Sequence, residues 1–250
     1  MRLTINDHIG YFPPFNWQEI YDATRQNSLP NVVLGQCPNV GSTVLLEPQH
    51  HEHAVNWLPL LWQLVILKSC RPDLKLALSA PFSAPNWHRL LAALGITPLE
   101  GNVTPSPPTP QLTLTESQVL LTLLDGTHTQ QLASRLNRDI RTVSSHKKRA
   151  MDKVGLRHNG ELYALGALLY DREDTMPAVF LPPAEQRVLA SLLHNGSVTA
   201  TARLLGKSVK TVSGQKLNIM RRFGVPHEVA LFAVAVTQQG TTGSFYRVLP

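Results

Sequence analysis

The chain has 250 residues, of which 43% are hydrophobic, 16% charged and 6% aromatic, with 19 prolines and 15 glycines. That length and apolar share support two or three small globular domains and exclude a wholly disordered or fibrous chain. The net charge is +6 and only Cys37 and Cys70 are present, too few for a disulfide framework, so a reduced, cytoplasmic protein is expected.

The opening MRLTINDHIG has no apolar core or cleavage site, and no secretory signal is expected from it. In the first block, residues 1–103, Ser42 to Glu47 (STVLLE) and Leu74 to Ser79 (LKLALS) read as strands on either side of a helical stretch 51–70. A short helix, Asn86 to Leu94, follows. The longest apolar stretch runs only from Ala54 to Leu67 and is broken by Asn56, Pro59 and Gln63. It is too short to cross a bilayer, so no membrane partner is expected. His50, His51, Glu52 and His53 form the only metal-like cluster. Neighbours on a helix point to different faces and cannot converge on one ion, so no metal site is expected.

Residues 104–110, TPSPPTP, are mostly proline and read as an extended linker. Two helical blocks follow, 111–170 and 181–240, separated by a second linker over 171–180. Charge is uneven: −1 over residues 1–111, +3 over 112–170 and +5 over 181–236. The basic excess lies in the last two blocks, where it suits a polyanionic partner.

Those two blocks are a duplication. Leu112–Leu156 overlays Leu181–Val225 without a gap, and roughly a third of the aligned positions are identical. In the first copy the apolar spacing predicts helices over 115–124 and 129–136, a third from an N-cap at Thr142 to Gly155, and a fourth over 161–169. The third helix places Val143, Ala150 and Val154 inward and Arg141, Ser144, Ser145, Lys148 and Arg149 outward. Two short helices joined by a tight turn, the second presenting small polar and basic side chains, suit the DNA major groove. A generic four-helix unit with a solvated basic face is the alternative. No nucleophile–base pair, phosphate loop or paired carboxylates appear, so neither an enzyme nor a cofactor is expected.

Leu112, Thr113, Glu116, Val119, Leu120, Gly126, Leu132, Ala133, Leu136, Thr142, Val143, His146, Lys153, Gly155 and Leu156 resemble, in register, the LuxR-type (NarL/FixJ-like) helix-turn-helix. The resemblance implies a bacterial, cytoplasmic, nucleoid-associated transcription regulator that binds double-stranded DNA. It implies base contacts from Ser144, Ser145 and Lys148 and phosphate contacts from Arg141, Thr142, His146, Lys147 and Arg149. His146 has a second reading, as a packed helix residue at the groove edge. The second copy is similar to the same family but degenerate: Gly196 is displaced by one place, Gln215 replaces the histidine, Gly214 replaces a base-facing residue and Leu217 stands where Lys148 stands. Lys207, Lys210, Lys216 and Arg221 are its expected phosphate contacts.

The first block resembles a receiver domain of response regulators, with Glu47 in the place of the phosphate-accepting aspartate, Ser79 in the hydroxyl position, and no acidic pair or late lysine. This implies a degenerate, phosphorylation-independent receiver; an unrelated α/β partner-binding domain is the alternative. The expected fold is thus an α/β domain followed by two all-α four-helix helix-turn-helix domains. A protein-interaction subunit that joins another LuxR-type regulator and reads few bases is the competing function, with another regulator or RNA polymerase as further partners. The fourth helices are strongly apolar, with Leu162 and Leu165 in the first and Leu231 and Phe232 in the second, so they are expected to pair, within one chain or across a homodimer.

Overall fold

The computed structural model describes residues 2–5, 8–11, 43–47, 57–78, 85–98, 110–169 and 179–240. The chain forms two compact units, residues 1–121 with 141–155, and residues 122–140 with 156–250.

The first unit carries a five-stranded sheet of β1 (Arg2–Ile5), β2 (His8–Tyr11), β3 (Thr43–Glu47), β4 (Lys75–Leu78) and β5 (Ile96–Pro98), ordered β2-β1-β3-β4-β5. β3, β4 and β5 run parallel, with Thr43 beside Lys75 and Leu76 beside Ile96. α1 (Trp57–Cys70) lies between β3 and β4 in the chain and α2 (Pro85–Ala93) between β4 and β5, as parallel strands require. Leu76, Ala77 and Leu78 are all buried, the pattern of a strand covered on both faces. α1 buries Leu58, Leu61, Trp62 and Leu64, and Trp57 meets Trp87 of α2 edge-to-face at 5.6 Å. The N–H of Leu112 donates to the carbonyl of Ala93 at 2.8 Å, which ties the chain entering the first helical repeat to the end of α2.

The strands expected at 42–47 and 74–79 are present at 43–47 and 75–78. The β1–β2 hairpin was not anticipated, and it makes the sheet mixed: β1 is antiparallel to both β2 and β3. Ser79, the cluster His50 to His53 and the linker residues 104–109 and 171–178 lie outside the described residues. Among the described residues no group of side chains could hold a metal ion, and no helix is long and apolar enough to cross a membrane.

The first helical repeat contains α3 (Leu114–Leu124), α4 (Thr129–Arg135), α5 (Ile140–Val154) and α6 (Asn159–Leu169). The second contains α7 (Pro183–Asn195), α8 (Val198–Leu204), α9 (Val209–Arg222) and α10 (Glu228–Gly240). Each helix of the second repeat starts where the ungapped alignment puts its counterpart: Pro183 for Leu114, Val198 for Thr129, Val209 for Ile140 and Glu228 for Asn159. The second repeat encloses its own core of Val188, Leu192, Val212, Ile219, Phe223, Leu231 and Val234.

Candidate nucleic-acid interface

α3 opens with a reciprocal cap. The N–H of Thr113 donates to Glu116 Oε2 at 2.9 Å, and the N–H of Glu116 donates to Thr113 Oγ1 at 3.3 Å. Lys153, in the last turn of α5, donates to the same Glu116 oxygen at 2.6 Å and to the carbonyl of Gln111 at 3.0 Å. Burial pushes the Glu116 carboxyl up, but the Lys153 ammonium and the Thr113 groups outweigh it and hold it below the ordinary carboxylate range. Three of the residues that carry the sequence resemblance therefore clamp α5 by its carboxyl end and leave its opening turns to present side chains. The second repeat keeps the ion pair: Glu185 and Arg222, which align with Glu116 and Lys153, stand 3.0 Å apart. Pro182 occupies the cap and has no N–H to give, and Glu185 Oε2 has no aligned hydrogen bond.

α5 starts at Ile140, two residues before the expected N-cap at Thr142. Thr142 is exposed inside the first turn. Asp139 occupies the cap position, and its counterpart Ser208 does cap α9, accepting from the N–H of Thr211 at 3.0 Å. The turn before α5 passes through Asn137 at φ 49 and is closed by the N–H of Arg138 on the carbonyl of Ala133 at 3.0 Å. Lys207 and Ala202 repeat that bond at 2.9 Å.

Val143, Ala150, Met151 and Val154 are buried. Arg141, Thr142, Ser144, Ser145, Lys148 and Arg149 are exposed, and at roughly 100° per residue they share one side of the helix. The three expected base-contacting residues, Ser144, Ser145 and Lys148, stand in this arc. His146 and Lys147 are half-buried on its flanks, and His146 Nδ1 is buried without a hydrogen-bond partner.

The cations of the second repeat divide into two groups. Lys210 and Arg221 are exposed on α9, Arg221 reaching Asn218 Oδ1 at 3.1 Å. Lys207 donates to Gln215 Oε1 at 2.9 Å, and Lys216 donates to Glu228 Oε1 at 2.6 Å. Burial acts upward on the Glu228 carboxyl, yet Lys216 holds it below its ordinary range, so the Lys216 ammonium is engaged at the start of α10.

α6 and α10 pack on each other within the second compact unit. Leu162, Leu165, Leu231 and Phe232 are buried, and Tyr163 meets Phe232, its own counterpart in the second repeat, edge-to-face at 5.6 Å. Burial, with Glu228 nearby, pushes the Tyr163 hydroxyl far up. His158 and His227 cap these two helices, their Nδ1 atoms accepting from the N–H of Glu161 at 3.3 Å and of Ala230 at 3.1 Å. The turns after the first helix of each repeat complete the pairing. A Cβ at Gly126 would overlap the His227 ring, and a Cβ at Gly196 would overlap the backbone of Gly160. Both glycines also have positive φ, 90° and 62°, so close approach and backbone conformation each require glycine.

Residues 110–165 match the model of the bacterial regulatory proteins of the luxR family. This segment is a LuxR-family helix-turn-helix domain, a DNA-binding domain of transcription regulation. No curated protein matches the chain. Among solved structures, RcsB of Salmonella enterica serovar Typhimurium bound to promoter P1flhDC is similar at 20% identity and a TM-score of 0.30, over 54% of this chain and 80% of that one. The same protein bound to promoter rprA gives 21% identity and a TM-score of 0.30, over 59% and 79%. A further RcsB structure from Salmonella typhimurium gives 19% and 0.22, over 57% and 89%.

Proposed function

We propose that this chain is a transcription regulator that reads double-stranded DNA through α5. The observation that carries the reading is the single exposed arc of Arg141, Thr142, Ser144, Ser145, Lys148 and Arg149 on the third helix of a LuxR-family domain. Ser144, Ser145 and Lys148 face base edges, while Arg141, Thr142 and Arg149 hold phosphates on either side. Lys210 and Arg221 add phosphate contacts from the second repeat, and Lys216, held by Glu228, adds least. Selection of bound sequences from random duplexes with the purified chain supplies the target. On that target Lys148→Ala should cost roughly 1–3 kcal/mol and relax preference at one position, whereas Arg149→Ala should weaken selected and random duplexes alike. Equal losses on both duplexes for Lys148→Ala would overturn its assignment.

The pairing of α6 with α10 supports a covalent pseudo-dimer in which the two repeats of one chain occupy neighbouring groove sites, the tether raising the effective concentration of the second contact. The amino-terminal sheet serves as a regulatory domain of receiver type that works without phosphorylation. Its parallel β3-α1-β4-α2-β5 order supports that reading, and Glu47, the last residue of β3, stands at a strand end where a receiver carries its acceptor aspartate. Incubation with a small phosphodonor and magnesium should leave the intact mass unchanged; a stable phosphoryl adduct on residues 1–103 would contradict it.

A further inference from the structure

The place that Lys148 holds on α5 is held on α9 by Leu217, and Leu217 is 52% exposed. It shares the outward arc of α9 with Lys210, Thr211, Gly214, Asn218 and Arg221, all of them exposed. Where a Cβ of Gly214 would stand there is open space, so a surface laid against this arc can come closer to the backbone there than a larger residue would allow. α9 contains no acid. The two acids of residues 181–236, Glu185 and Glu228, are engaged with Arg222 and Lys216.

Leu204, at the end of α8, is 67% exposed, so an apolar protein surface is a competing occupant. An apolar protein surface gains nothing from the exposed cations Lys210 and Arg221, whereas the edges of a DNA groove are lined with phosphates. Within the major groove, thymine alone offers a methyl group to an apolar side chain.

We propose that α9 selects thymine, Leu217 packing on the 5-methyl group while Gly214 lets the helix approach and Lys210 and Arg221 take the flanking phosphates. The proposal rests on the DNA-binding reading above and makes the second repeat a specificity element rather than only a grip on phosphate.

The test uses the full chain and duplexes it selects from a random pool, each remade with deoxyuridine at one thymine at a time, which deletes the methyl alone. Binding by the unaltered chain should weaken about fourfold for at least one such thymine, the expectation for one lost methyl contact. Leu217→Ala, at a half-exposed site that folding does not depend on, should bind the thymine duplex about fourfold less tightly and ignore the same replacement. Leu217→Lys should move the preference at that position from thymine toward guanine. An unaltered chain indifferent to every deoxyuridine, or a Leu217→Ala chain that loses as much as the unaltered one, overturns the proposal and leaves DNA binding standing. Failure to enrich any duplex overturns the DNA-binding reading and takes this proposal with it.

Discussion

At the scale of single residues, the most consequential group away from the outward arc of α5 is the Glu116 carboxylate. It is 4% exposed, and its charge is tolerable only because Thr113 and Lys153 surround it with donors. Its folded-state pKa is lowered from 4.5, so the stability it contributes is fully present above pH 4.5 and is lost as pH falls through the folded value. Lys153→Met removes the ammonium and leaves a buried carboxylate. Because Lys153 is itself about a quarter exposed, the cost near neutral pH should be about 2 kcal/mol, below the roughly 3–5 kcal/mol of breaking a fully buried pair. In that variant burial acts on Glu116 with less to oppose it, so protonation relieves part of the cost. Urea unfolding midpoints of the two proteins should converge as pH falls below 4.5. A difference independent of pH would mean that Lys153 contributes through packing rather than through its charge.

At the scale of elements, periodicity and the internal repeat disclosed most of the carboxyl-terminal half. The apolar spacing of Val119, Leu120, Leu123 and Leu124 located α3, and the ungapped alignment of the two copies carried each helix onto its counterpart. Two kinds of feature stayed hidden. The sequence reading puts the cap of α5 at Thr142, whereas the helix starts at Ile140; Asp139 is an equally suitable cap residue, and the cap geometry at its counterpart Ser208 in the other repeat supports it. The β1–β2 hairpin was hidden because its strands are four residues each, and β1 is placed by pairing with β3, about 40 residues away, a non-local term that local pattern does not encode. The candidate interface divides in the same way. The outward arc of α5 followed from helical spacing, whereas the engagement of Lys216 depends on Glu228 in the next helix, and its position on α9 did not foretell it.

At the scale of the whole molecule, the contacts between the repeats have the form of an isologous interface folded into one chain. In a two-fold dimer, residues near the axis meet their own equivalents and off-axis contacts occur in reciprocal pairs. Tyr163 meets Phe232, and the first-helix turn of each repeat lies against the start of the other repeat's fourth helix, Gly126 at His227 and Gly196 at Gly160. The symmetry is broken where His128 approaches Glu228 at 3.8 Å, since their counterparts are Ser197 and Asn159. The apolar faces of α6 and α10 are thus already covered by each other within one chain. Light scattering should accordingly give the mass of a single chain across a wide range of concentration. Phe232→Ala should cost roughly 3 kcal/mol, as expected for a buried aromatic, and should weaken binding to a selected two-site duplex more than binding to either site alone, because the tether no longer presents both repeats together. A concentration-dependent dimer in the unaltered protein, converted to a folded monomer by Leu165→Asp or Leu231→Asp, would instead place the fourth helices between chains. Footprinting separates the two arrangements at the DNA as well, since one tethered chain protects two adjacent groove faces and a dimer of such chains would protect up to four.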